Sequence, residues 1–439
     1  MFETLRNAWK VQETRKKLLF TLFIIIIFRI GSILIPAPFL DAQVLRDWMN
    51  ANDNNNALSY LNVLSGGSMS RATVFALGVQ PFINASIIVQ LLTYAIPPLE
   101  RISKEGEEGR KKIDKISAFV SFGLSIFMAW AYYLTMKKAG AVRYTDGFEG
   151  IFAAVVIISV FVTGAMIVVW IGNRINEKGI GNGVSMMIFI GILANFPSNL
   201  LTMWNAAWDQ PNPYVFVGIF VLLLFVFVIG FIVFMNESER RIPIQYAKRV
   251  VGRKQYGGQN THIPVKVCMS GVMPIIFANA FVSLPMTIAI FFPPNQDGTS
   301  WWDKFYTGFS KFFSYRSPVY SIVLFLLIIG FNYFYVSMQY NPVEIANNLR
   351  QSNGGIPGIR PGKPTSDYIQ RVLSKITLVG AVFLGIIAVI PAILGGVFPL
   401  LGNLAFSGTS ILIVVSVALE TVRTLESQLM MRHHKGFLE

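Results

Sequence analysis

Long apolar runs, separated by short charged stretches, fill the chain from end to end. They fall at about 18–35, 72–96, 116–136, 151–172, 184–204, 215–235, 267–292, 319–336, 376–394 and 400–419. A helix needs roughly 20 residues to cross a hydrocarbon core of about 30 Å. The pattern therefore predicts an all-α integral membrane protein of ten transmembrane helices. A short semi-apolar piece at 57–70 is too brief and too rich in glycine to span. It follows a loop with an asparagine-rich tip at 52–56 and leads straight into the second run.

Charge fixes the orientation that this pattern leaves open. Ten spans put both termini on one side. The segments on that side carry 28 Lys and Arg, the opposite segments carry 8, and Arg29 lies inside the first span. The positive-inside bias places the N-terminus, the C-terminus and the large basic loops in the cytoplasm. The net charge of +14 is thus chiefly a topology signal. The basic segment 1–17 reads as a cytoplasmic lead into a first transmembrane helix, and no removable signal peptide is evident.

Composition narrows the chemistry. Hydrophobic residues make up 53% of the chain and charged residues 14%, against about 25% charged in soluble domains. Cys268 is the single cysteine, so no internal disulfide can form. The histidines, His262, His433 and His434, all lie outside the apolar runs. No Asp or Glu lies within a span, and Glu420 stands at the end of the tenth. Ion-coupled transporters place carboxylates or proton relays within the membrane, so a proton- or sodium-driven transporter of small solutes is disfavoured. No Walker A motif, paired histidines on a helix or metal-ligand spacing appears. The expectation is a non-enzyme with no cofactor and no metal. The remaining interior polar groups are mild: Gln80, Asn84, Gln90, Asn279, Asn332 and Gln339, expected for the most part to hydrogen-bond neighbouring helices. Arg29 is expected to snorkel or to pair.

Proline-interrupted stretches recur at matching places. Gly78-Val79-Gln80-Pro81-Phe82-Ile83-Asn84-Ala85 lies in the second span, and Gly271-Val272-Met273-Pro274-Ile275-Ile276-Phe277-Ala278 lies in the seventh. Five spans is an odd number, so two halves of five, 18–204 and 205–419, have opposite topology. Broken helices at equivalent places in inverted halves point to a pathway between them.

Three hydrophilic segments complete the reading. The loop 236–266 is basic, with Arg240, Arg241, Lys248, Arg249, Arg253 and Lys254, and is longer than a connector requires. The loop 341–371 holds a short helix at 342–349 and a Gly- and Pro-punctuated turn that carries Arg360 near its tip. Both read as docking arms for phosphate-rich or acidic surfaces. Gly179-Ile180-Gly181-Asn182-Gly183 reads as a tight turn between the fourth and fifth spans. The residues 420–439 form a cytoplasmic tail.

Several blocks carry a resemblance: Ser65-Gly66-Gly67-Ser68-Met69-Ser70-Arg71-Ala72, Ala76-Leu77-Gly78 with Pro81, Ala85-Ser86-Ile87-Ile88 with Gln90-Leu91-Leu92, Glu105-Gly106 with Gly109-Arg110, the 179–183 turn, Asn341-Pro342, and 357–362. In this order among ten spans, they resemble the SecY family of protein-conducting channels over essentially the whole chain. Lys178 and Val79 depart slightly from the family pattern. The resemblance implies two inverted, pseudo-symmetric halves of five helices. It also implies a channel that translocates secretory polypeptides and releases membrane proteins laterally into the lipid of the bacterial plasma membrane. It further implies a pore ring of Val79, Ile83, Ile188, Ile192, Ile276 and Ile413, and a plug over 57–70 that includes Leu61, Leu64, Ser65, Gly66 and Gly67. Asn84 would stand in a lateral gate formed by the second and third spans against the seventh and eighth. Arg253 and Arg360 would be contacts for the ribosome and for the SecA motor ATPase. The implied partners are SecE, SecG, SecA, the ribosome and polypeptides bearing signal peptides.

Overall fold

The computed structural model describes residues 6, 8–51, 62, 65–103, 105–208, 213–246, 249–251, 254–256, 261–291, 308, 317–397 and 407–433. The chain is predominantly helical, and each of the ten apolar runs contains a helix. In order these are α1 (Gln12–Leu34), the short amphipathic α2 (Ala42–Ala51), α3 (Gln80–Ala95) with a short extension α4 (Pro97–Ser103), α5 (Glu107–Lys138), α6 (Gly147–Lys178), α7 (Gly183–Trp208) and α8 (Pro213–Glu237). After a stretch of strands come α9 (Met273–Phe291), α10 (Pro318–Gln339), α11 (Pro342–Gln351), α12 (Lys363–Val397) and α13 (Ser407–His433). Among the described residues, five helices are long and apolar enough to cross a membrane, or six if α3 and α4 count as one span. Those two helices meet at an angle of 106°. The bend falls at Ile96, whose extended backbone is what the residue before a proline prefers.

The all-α expectation needs one correction. The basic loop after α8 forms strands β1 (Glu239–Tyr246), β2 (Arg249–Val251), β3 (Lys254–Tyr256) and β4 (Thr261–Lys266), and a two-residue β5 (Gly354–Gly355) lies in the next loop. The reason is legible in β1. There Arg241, Ile242, Pro243 and Ile244 alternate outward and inward with the period of a strand, and Ile242 and Ile244 are buried.

Helix boundaries also move. The second helix starts at Gln80 rather than 72, because 65–79 runs as consecutive turns with positive φ at Gly66, Gly67, Ala72 and Gly78. Pro81 then occupies the first turn of α3, where its missing N–H costs nothing. The helix of the ninth apolar run, α12, begins at Lys363, earlier than 376, because Ile369 and Leu373 in its first turns pack on Ile242, Ile244 and Val265 of the strands.

The chain divides into two compact units. One comprises Met1–Ala206, Ser283–Tyr315 and Val417–Glu439, and the other Ala207–Val282 and Arg316–Ser416. In the first, α3 packs on α5, α5 on α6, and α1 on α6. Its core includes Leu45, Met69, Leu77, Tyr132, Met136, Ile157 and Phe161. In the second, α10 packs on α12 and α11 on α12, and β4-β1-β5 forms a three-stranded antiparallel sheet.

Candidate functional site

Within the first unit, Val79, Ile83, Ile188 and Ile192 are all buried. Val79 caps α3, and the Ile83 N–H donates to the Val79 carbonyl at 3.0 Å, so the two side chains stack one turn apart. Ile188 and Ile192 repeat that spacing on α7. Each pair offers branched aliphatic surface with no hydrogen-bonding group. Within the second unit, Ile276 on α9 and Ile413 on α13 are buried as well.

The sequence 65–70 is held more tightly than a connector requires. Ser65, Gly66, Gly67, Ser68 and Met69 are buried. The Gly67 N–H donates to the Asn62 carbonyl at 2.8 Å, and the Ser70 N–H to Asn62 Oδ1 at 2.9 Å. Ser65 Oγ donates to the Asn62 carbonyl at 3.0 Å. Ser68 Oγ donates to the Ser32 carbonyl of α1 at 3.3 Å, and the Tyr132 hydroxyl of α5 donates to the Met69 carbonyl. Beyond this turn the chain pairs with the exit of α1, where the Ala37 N–H meets the Ala72 carbonyl at 2.8 Å and the Val74 N–H meets the Ile35 carbonyl at 3.0 Å. The first and third spans thus clamp the segment from both sides. Leu61 and Leu64, the apolar members expected of the plug, lie outside the described residues.

Asn84 is half-buried, and its amide lies 3.9 Å from Met128 Sδ on α5, so it turns toward the third span. The other interior polar groups divide. Asn332 on α10 accepts from Ser270 Oγ and donates to the Thr377 carbonyl of α12 at 3.2 Å, tying three parts of the second unit together. Gln90 bonds Ser86 on its own helix at 3.4 Å. Asn279 Nδ2 is buried without a hydrogen-bond partner among the described residues.

The two basic loops join in one small body. Gln245 and Tyr246 of β1 pair with Gly355 and Gly354 of β5, so the loop after α8 and the loop after α10 share a sheet. Ile242, Ile244, Val265, Leu349, Ile356, Ile369 and Leu373 form its buried core. Asn341 caps α11 by accepting from the Val343 N–H at 3.2 Å, and Pro342 fills the first turn. Arg360 is exposed. Its carbonyl accepts from Thr365 Oγ1 at 2.8 Å, and the Ile359 N–H donates to the Ile356 carbonyl at 3.1 Å, so the arginine stands on a pinned turn above a buried anchor. Arg253 lies outside the described residues.

The SecY family model matches residues 73–422. The protein translocase subunit SecY of Mycobacterium bovis is 40% identical over 453 residues, an alignment that takes in 100% of both chains. The chain belongs to the SecY family. Two solved structures share its fold. One concerns the plug domain of a SecY protein, which stabilises the closed state of that translocation channel and maintains a membrane seal. It aligns with a TM-score of 0.63 at 18% identity over 94% of this chain and 92% of its own. The other is Sec61 in a canine ribosome–channel complex, with a TM-score of 0.59 at 16% identity and the same coverage.

Of the residues named by the resemblance, the six aliphatic positions and the glycine pair are buried and Arg360 is exposed. The sequence alone does not single out Tyr132, Ser32, Asn62 or Thr365. Tyr132 and Ser32 act on partners 63 and 36 residues away, whereas Asn62 and Thr365 are ordinary polar residues that pin turns through partners 8 and 5 residues away.

Proposed function

We propose that this protein is the channel subunit of a bacterial protein translocase, which conducts secretory polypeptides across the plasma membrane and releases membrane proteins sideways into lipid. Full-length identity of 40% to a protein translocase subunit carries this reading. The arrangement supplies the chemistry. A passing chain presents every kind of side chain in turn, so its pathway must offer no fixed hydrogen bonds or charges. Val79, Ile83, Ile188, Ile192, Ile276 and Ile413 form the constriction of this pathway, and dewetting among such groups blocks ions. Ten helices in two inverted halves surround it. The segment 57–70 is the plug, seated on its Ser65–Ser70 base. Asn84 belongs to the lateral gate, through which an apolar signal sequence partitions into lipid.

Both termini lie in the cytoplasm. There the joined basic loops, with Arg253 and Arg360, receive the SecA motor or the ribosome; the canine Sec61 structure of the same fold is of a ribosome–channel complex. SecE and SecG complete the complex. The driving energy comes from ATP hydrolysis by SecA or from translation.

The test is reconstitution of the chain with SecE and SecG in liposomes, with SecA, ATP and a secretory precursor outside. The precursor becomes protected from protease only when ATP and an intact signal sequence are both present. Signal-independent protection, or flux of a small solute in place of precursor, overturns the reading.

A further inference from the structure

An arginine in an apolar helix is costly and persists where it has a partner. Arg29 is the single charge within the first span, near the C-terminal end of α1, and it is half-buried. Its Nη1 lies 3.5 Å from the Gly66 carbonyl oxygen, a long hydrogen bond to the base of the plug. The approach is close elsewhere too. A Cβ placed on Gly66 would lie 3.0 Å from Arg29 Nη1 and 3.0 Å from the Gly191 Cα of α7, so the peptide is gripped between the guanidinium and a neighbouring backbone. Gly66 adopts φ +70°, which glycine takes without steric cost, and this turns its carbonyl to the arginine. One residue on, a Cβ on Gly67 would meet Asn195 Oδ1 of α7 at 3.1 Å.

We propose that Arg29 is a positioning residue that latches the plug: its guanidinium holds the Gly66 carbonyl against α7 at Gly191, and the Ser65–Ser70 turn leaves its seat only when that contact breaks. The inference rests on the channel reading above. Because the latch takes a backbone carbonyl, it acts on the position of the turn and is indifferent to the other plug side chains. Opening then has a threshold, set by whatever a signal sequence must supply to part Arg29 from Gly66.

The experiment uses the full chain with SecE and SecG in liposomes. It reads resting ion conductance and SecA-driven translocation of two precursors, one with an intact and one with a defective signal sequence. Arg29→Met keeps a long side chain at no cost in lipid and removes the donor. Losing one hydrogen bond to a charged group is expected to raise both resting conductance and translocation of the defective precursor about tenfold. The intact precursor should move as before. Arg29→Lys, which retains a donor, should stay near the wild-type values. A merely structural role predicts loss of translocation for both precursors, and that outcome overturns the latch. Wild-type conductance and stringency in Arg29→Met overturn it equally. If Arg29→Met fails to accumulate, Gly66→Ala keeps the charge while displacing the carbonyl. It must then leak and admit the defective precursor, and a tight, stringent Gly66→Ala channel overturns the latch. A wild-type complex that moves no precursor at all overturns the channel reading itself, a result distinct from failure of the latch.

Discussion

The Tyr132 hydroxyl reaches from the third span to the main-chain carbonyl of Met69, directly behind the buried glycine pair. The two residues are 63 positions apart in sequence, and the tyrosine ring is wedged against Phe161 of the fourth span at 5.2 Å between centroids. The 65–70 turn is therefore registered against the helices of the first unit by a tyrosine side chain.

Tyr132→Phe keeps the ring and strands the carbonyl. The cost should be about 1 kcal/mol in stability, the central value for one intramolecular hydrogen bond. Thermal unfolding of the purified chain in detergent checks this, with Phe161→Leu as a control that loosens the ring without touching the carbonyl. An unchanged melting temperature in Tyr132→Phe would mean that Met69 finds another donor.

The two basic loops should fail together. A Cβ on Gly354 would lie 3.0 Å from Tyr246 Cε1, 3.2 Å from Leu349 Cδ2 and 3.3 Å from Ile244 Cγ2. Gly354→Val thus pushes β5 off β1 and loosens the turn that carries Arg360, at a cost of roughly 1–3 kcal/mol of overpacking. SecA-stimulated translocation and SecA affinity should both fall, and Arg360→Ala should reproduce the binding loss without the loss of stability. Normal SecA binding by Gly354→Val would separate the sheet from docking.

Much of this was legible in the chain. Apolar runs mark spans because a bilayer demands long uninterrupted segments, and Gly66-Gly67 and Pro357 to Gly362 mark turns because few other residues take such backbones. What escaped was long-range. The strand period in Ile242 and Ile244 is short and sits among arginines, so it read as a basic loop. The pairing of Gln245 with Gly355 joins segments some hundred residues apart, and nothing local in either predicts it. Asn332 was visible as a polar residue in a span, but its bond to the Thr377 carbonyl needed the packing of α10 on α12. Asn279 departs from the expectation that such groups find partners on neighbouring helices.

Removing both of Asn332's bonds tests that packing. Asn332→Leu leaves the Ser270 hydroxyl and the Thr377 carbonyl without their partner. Polar contacts between membrane helices are worth about 0.6 kcal/mol on average, and two of them should lower the melting temperature measurably while leaving signal-sequence stringency unchanged. A change in stringency without a change in stability would assign Asn332 to gating.

Ile413 is almost fully buried on α13. Ile413→Asn puts a hydrogen-bonding amide where the proposed constriction needs a dry surface, so resting conductance should rise and weak signal sequences should suffice. A variant that neither leaks nor relaxes the signal requirement would place Ile413 in ordinary packing.

The central claim is that a polypeptide passes the aliphatic positions. A photoreactive residue at Ile276 tests it most directly, in a complex with SecE, SecA and ATP and with a precursor stalled midway. The account predicts a crosslink between position 276 and the precursor that requires both ATP and a functional signal sequence. No crosslink there, with strong crosslinks only from exposed apolar controls such as Phe119, would contradict it.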